Sequence, residues 1–126
     1  MPTSVKEMLA AANGAVPRVS PDEARRLMAE ADALVVDVRD GTEVAKTGKI
    51  KGAVHVSRGM IEFKADAETP YHDAAFRKDR PIILYCASGG RSALAGRTLQ
   101  EMGYERVHNL GGFKEATEAG LETEPA

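Results

Sequence analysis

The sequence predicts an α/β domain with a small, mostly parallel sheet of about five strands and helices on both faces. Strand-like runs recur at residues 33–39, 53–56, 81–85 and 106–110, with a very short edge strand expected at 18–20. Helical periodicity alternates with them, through Ala24, Leu27, Met28 and Ala31 and again through Leu94, Ala95, Thr98, Leu99 and Met102. The run Ala33-Leu34-Val35-Val36 is unbroken rather than alternating, which is the pattern of a parallel strand covered on both sides.

Residues 1–16 form a helical arm through Val5, Met8, Leu9 and Ala12 that either docks or frays. Ser20-Pro21-Asp22-Glu23 is a helix start: Ser20 caps, Pro21 suits the first helical position, and Glu23 stands where a capping box needs it. The following strand ends in Asp37-Val38-Arg39. That pair is either architectural or a source of positive charge for an anion site. Residues 40–51 are polar with a helical turn at 43–46. The run at 53–56 reads as a buried strand carrying His55, more often a structural histidine than a base in such a setting. Arg58, just past that strand, is either a surface residue or a further site cation. Tyr71 and His72 precede a short amphipathic helix through Ala75 and Phe76. Gly111-Gly112-Phe113 turns into a last helix at 114–119, and residues 123–126 are expected to be a loose tail after a main domain spanning 17–122.

The chemistry concentrates at Tyr85-Cys86-Ala87-Ser88-Gly89-Gly90-Arg91-Ser92. The single cysteine sits at the carboxyl end of a strand, where ligands of open α/β sheets bind, and a helix begins directly after it. Two glycines let the loop curl so that backbone N–H groups converge, and the helix adds its positive end. A thiol there has its thiolate favoured and becomes a nucleophile. A lone cysteine is more often a small buried hydrophobe; the glycines, Arg91 and the helix start tip this one toward function.

Composition bounds the rest. With 126 residues and 43% hydrophobic content the chain fits one modest core. A net charge of −2 with no basic run argues against a nucleic-acid partner. One cysteine leaves neither an internal disulfide nor a C-x-x-C or zinc pattern, so no metal or cofactor is expected. No signal peptide or membrane span is legible, and a cytoplasmic monomer or homodimer is the simplest expectation.

These motifs together resemble the single-domain rhodanese-like sulfurtransferases. Asp37-Val38-Arg39, Gly48-Lys49-Ile50-Lys51-Gly52-Ala53, Arg58-Gly59-Met60-Ile61-Glu62-Phe63, the loop from Cys86 to Ser92, and Gly111-Gly112-Phe113 follow one another as in that family, from about Val19 to Gly120. Lys49 and Lys51 stand where histidine and proline are usual, Thr117 where an aromatic often follows, and Ala87 where several thiosulfate-using members carry a basic residue. The resemblance implies a three-layer rhodanese-like fold and a Cys86 persulfide. Its sulfane sulfur would come from thiosulfate or another persulfide and leave to cyanide, a thiol or a protein acceptor. The backbone from Ala87 through Ser88, Gly89, Gly90 and Arg91 to Ser92 would cradle it, Arg91 bracing the loop or adding charge and Ser92 capping the helix or donating to sulfur. Asp37, Arg39 and Arg58 would be accessory. Two rivals remain: a persulfide carrier or partner-binding module with little turnover, and a cysteine phosphatase. The phosphatase loop places five residues between cysteine and arginine, whereas Ala87, Ser88, Gly89 and Gly90 make a smaller ring here.

Overall fold

The computed structural model describes residues 2–126. In chain order the elements are α1 (Val5–Ala15), α2 (Pro21–Glu30), β1 (Leu34–Asp37), α3 (Gly41–Thr47), β2 (Lys49–Ile50), β3 (Val54–His55), α4 (Ile61–Ala65), β4 (Ile82–Cys86), α5 (Gly90–Glu101), β5 (Val107–Gly112), α6 (Phe113–Glu118) and β6 (Thr123–Glu124). A four-stranded sheet runs β3-β1-β4-β5, every pair parallel. The expected edge strand shrinks to a single parallel bridge between Arg18 and Asn109 beside β5. Val19 N–H donates to Asn109 O (3.0 Å) and Asn109 N–H to Pro17 O (2.9 Å).

Strand alternation sorts the core into two layers. Leu34, Val36, Val38, Ile82, Leu84 and Cys86 pack with Ile61, Ala95 and Leu99 on the α4–α5 side. Val35, Ile83 and Tyr85 pack with Ala24, Leu27, Leu110 and Ala116 on the α2–α6 side. Helices thus cover both faces, and β1 and β4 are buried throughout.

The N-terminal arm docks. Ser4 caps α1 in a reciprocal box with Glu7, Ala12 and Val16 are buried, and Gln100 Nε2 donates to Ala15 O at 2.8 Å. Gly96 makes room on α5: a Cβ there would stand 3.0 Å from Val16 Cγ1. Ser20 caps α2 by accepting from Glu23 N–H, but the Glu23 carboxylate turns to Arg26 instead of closing the box.

Three expectations are corrected. Within the tail expected to be loose, Thr123 and Glu124 are ordered, since β6 pairs antiparallel with β2, Lys49 opposite Glu124 and Ile50 opposite Thr123. Lys49 forms an ion pair with Glu124, Lys51 N–H donates to Glu122 O (2.9 Å), and Leu121 is buried. Acidic composition suggested a solvated tail; backbone pairing with β2, the buried Leu121 and the Lys49–Glu124 pair hold it. The run at 53–56 is only partly buried, because β3 is an edge strand and His55 is exposed. No helix forms through Ala75 and Phe76, where the chain makes turns around a buried Phe76.

Candidate active site

The site is assembled where β4 ends and α5 begins. Gly89 is the N-cap of α5 with φ of 101°, a left-handed conformation that glycine adopts without strain. That turn brings the Gly89 N–H onto Cys86 Sγ at 3.0 Å. Ser92, in the first turn of α5, places its hydroxyl 3.5 Å from the same sulfur. Burial pushes the Cys86 thiol up; the Ser92 hydroxyl and the N–H groups of Ser92, Ser88 and Gly89 outweigh it and leave the thiol below its ordinary range. Of the expected cradle, these three peptide groups act on the sulfur, and Ala87 lies exposed at the rim.

Asn109 completes the arrangement and was not singled out from sequence. Strand β5 carries one extra residue there: Leu84 pairs with Asn109 but Tyr85 pairs with Gly111. The bulge frees the Gly111 N–H, which donates to Asn109 Oδ1 at 2.9 Å. Asn109 Oδ1 also accepts from Ser92 Oγ (2.8 Å), and Asn109 Nδ2 donates to Gly89 O (3.1 Å). One fully buried amide therefore ties the bulge, the loop carbonyl and the Ser92 hydroxyl together. The legible signal is an amide in a buried strand two residues before a pair of glycines.

Arg91 braces rather than contacts the sulfur. Its guanidinium makes a two-pronged pair with Glu43 of α3, Nη1 to Oε1 at 2.6 Å and Nη2 to Oε2 at 3.0 Å. Glu43 Oε1 also accepts from the Asp40 N–H (3.0 Å). Arg91 chiefly, with Asp40 N–H second, holds the Glu43 carboxyl down at about 2. In the sequence Glu43 stands in a short polar helical turn with nothing local to mark its partner.

Asp37 and Arg39 form an ion pair with each other. Both are buried, with Arg39 Nη2 2.7 Å and Nε 3.0 Å from the two Asp37 carboxylate oxygens. Arg39 also donates to Thr47 Oγ1 (2.9 Å) and Gly48 O (2.8 Å), and its guanidinium lies 4.2 Å from the Phe113 ring centre. His55 Nε2 donates to Arg39 O at 2.7 Å, so the histidine supports the end of β1. Arg58 is drawn away from the loop, donating to Glu62 and to Thr98 Oγ1, both at 3.1 Å. Thr98 is two helical turns past Arg91.

A cavity of about 240 Å³ opens beside Ala87, lined by Arg39, Glu43, Lys46, Phe113 and Lys114 among others. His72 lines a different cavity with Phe76 and Tyr104, and Tyr71 packs edge-on against Phe63. Among the described residues no cluster of His, Cys, Asp and Glu could hold a metal ion, and no helix is long and apolar enough to cross a membrane.

Comparison with known proteins gives this geometry its context. The model of the Rhodanese-like domain family matches residues 20–119. A sulfurtransferase of Allochromatium vinosum is 38% identical over 88 residues, 70% of this chain and 74% of that one. A Rhodopseudomonas palustris structure, of a protein of unknown function and "Possible Tyrosine Phosphatase", superposes with a TM-score of 0.87 at 38% identity, over 98% of this chain and 99% of that one. The polysulfide-sulfur transferase homodimer of Wolinella succinogenes gives 0.73 at 30% identity, over 96% and 87% of the two chains.

Proposed function

This chain belongs to the rhodanese-like domain family, and on that footing we propose that it is a sulfurtransferase whose nucleophile is Cys86. The observation that carries the reading is the buried Cys86 sulfur, which receives the Gly89 N–H at 3.0 Å with the Ser92 hydroxyl at 3.5 Å. The thiolate attacks the outer sulfur of a donor. A Cys86 S–S bond forms, and the donor's bond to that sulfur breaks with its electron pair leaving on sulfite or a thiolate. An acceptor thiol or cyanide then attacks the terminal sulfur, and Cys86 departs as thiolate. The same N–H groups that favour the thiolate stabilise the anionic persulfide, and an analogous preorganised donor is worth roughly 3–4 kcal/mol in acyl transfer. Asp37, Arg39 and Arg58 act at a distance, by holding the ends of β1 and α4.

Phosphoryl transfer is disfavoured. It needs an arginine over the loop to hold phosphate oxygens, whereas Arg91 is committed to Glu43 by two bonds.

The test is intact mass of the protein after exposure to thiosulfate, followed by thiocyanate release on adding cyanide. Wild type is expected to gain one sulfur and release it, and Cys86→Ser to gain none while remaining folded. Retained sulfur loading in Cys86→Ser would refute the mechanism. A loaded wild type that turns over only with a protein acceptor would make it a carrier.

A further inference from the structure

We infer that Lys46 of α3 and Lys114 of α6 form an anion-recognition pair at the mouth of the site, selecting organic thiols or persulfides whose carboxylate is set back from the reacting sulfur. The inference rests on the sulfurtransferase reading for its choice of substrate, but the placement of the charges stands by itself.

The loop lacks a cation of its own at its rim, where Ala87 is exposed. Three nearby arginines are already matched, Arg39 by buried Asp37, Arg91 by Glu43 and Arg58 by Glu62, and Arg18, whose guanidinium packs against Gly111, does not line this cavity. Lys46 and Lys114 line the cavity beside Ala87, and among the described residues neither has a carboxylate within ion-pairing distance. Glu43 lines the same cavity but is taken up by Arg91, and Glu115 turns its carboxylate toward Gly112. The mouth is left net positive, with the charge on long side chains out at the rim instead of on the loop.

Size and lining point the same way. At about 30 Å³ for each water-sized group, the cavity of about 240 Å³ holds roughly eight such groups, more than an inorganic oxyanion fills. Ala87 and the Phe113 ring offer an apolar flank to a short carbon chain between sulfur and carboxylate. In thiosulfate the charge is bonded directly to the transferred sulfur, so it must be met at the loop, where Ala87 supplies none. A carboxylate several bonds away reaches the lysines.

The decisive measurement uses alkylation of Cys86, which needs no sulfur transfer. Iodoacetylglycine carries a set-back carboxylate and iodoacetamide carries none; both form a carbon–sulfur bond to Cys86 with loss of iodide. At low ionic strength the rate ratio of the two reagents is expected to fall about fivefold in the Lys46→Gln/Lys114→Gln double variant, and to fall likewise in wild type as salt is raised. A ratio unchanged by both lysine substitutions would overturn the inference. A second arm uses sulfur-loaded protein. The double variant is expected to raise KM for 3-mercaptopropionate several-fold more than for 2-mercaptoethanol, and equal effects on both acceptors would also overturn it. If the wild type takes up no sulfur, the functional reading fails while the alkylation ratio still decides the lysines.

Discussion

Ser92 stands between two acceptors: its hydroxyl lies 2.8 Å from Asn109 Oδ1 and 3.5 Å from Cys86 Sγ. A hydroxyl has one hydrogen to give. With a neutral thiol it favours the short bond to Asn109, and when charge develops on sulfur a rotation about one bond redirects it there. Asn109 keeps a second donor, the Gly111 N–H, so its oxygen is not stranded by the rotation.

Ser92→Ala is therefore expected to raise the Cys86 thiol pKa, since it removes a hydrogen bond that favours the charged sulfur. The midpoint of the iodoacetamide rate against pH reads this directly; an unmoved midpoint would show that the backbone alone sets the thiolate. Stability follows the same sign. The folded thiol is depressed, so thiolate formation contributes stability fully above its unfolded pKa, about 8.5, and that contribution is lost as pH falls through the folded value. The urea midpoint of wild type relative to Cys86→Ser should rise between these two pKa values, and rise less in the Ser92→Ala background.

Glu43→Gln tests the brace. The carboxyl is held down at about 2, so the pair's contribution is complete above about pH 4.5 and is lost as pH falls toward 2. Both partners are about one-third exposed (36% for Arg91, 34% for Glu43), which limits the pair to about 1 kcal/mol after solvent screening. Thermal melts of the variant should lose that increment at neutral pH and show a flatter acid limb. The released Arg91 charge should also lower the Cys86 midpoint, opposite in sign to Ser92→Ala. A rise in that midpoint would refute the brace as described.

Gly112→Ala probes the contact between β5 and the loop. Its φ of −96° suits any residue, so only space is at issue. A Cβ there would stand 2.7 Å from Ala87 O, a backbone atom that moves only if the loop moves. Overpacking of this kind costs about 1–3 kcal/mol. Sulfur transfer and Cys86 alkylation should fall more than the melting temperature implies, because the displaced peptide adjoins Cys86. Full reactivity at a lowered melting temperature would show that the loop holds its shape without this contact.

What the sequence determined by itself was the backbone course around Cys86, which neighbouring residues dictate. The apolar run into Cys86, the glycine that turns left-handed at 89 and the helix periodicity after it are local, and each forms where its residues predict. The alternation within β1 and β4 likewise assigns one set of side chains to each layer whatever lies above them. Tertiary structure decided which distant groups meet. Arg91 finds Glu43 across 48 positions and Ser92 finds Asn109 across 17; Arg58 turns to Thr98 and away from the loop. Lys49 reaches an acidic tail 75 residues on and makes a strand of it. A charged or polar side chain carries no periodicity that names its partner, because its bonding energy depends on which opposite group the folded backbone brings within about 3 Å. The turn that cradles Cys86 was legible because backbone shape and nearest neighbours create it; its support was not, because other strands and helices supply it.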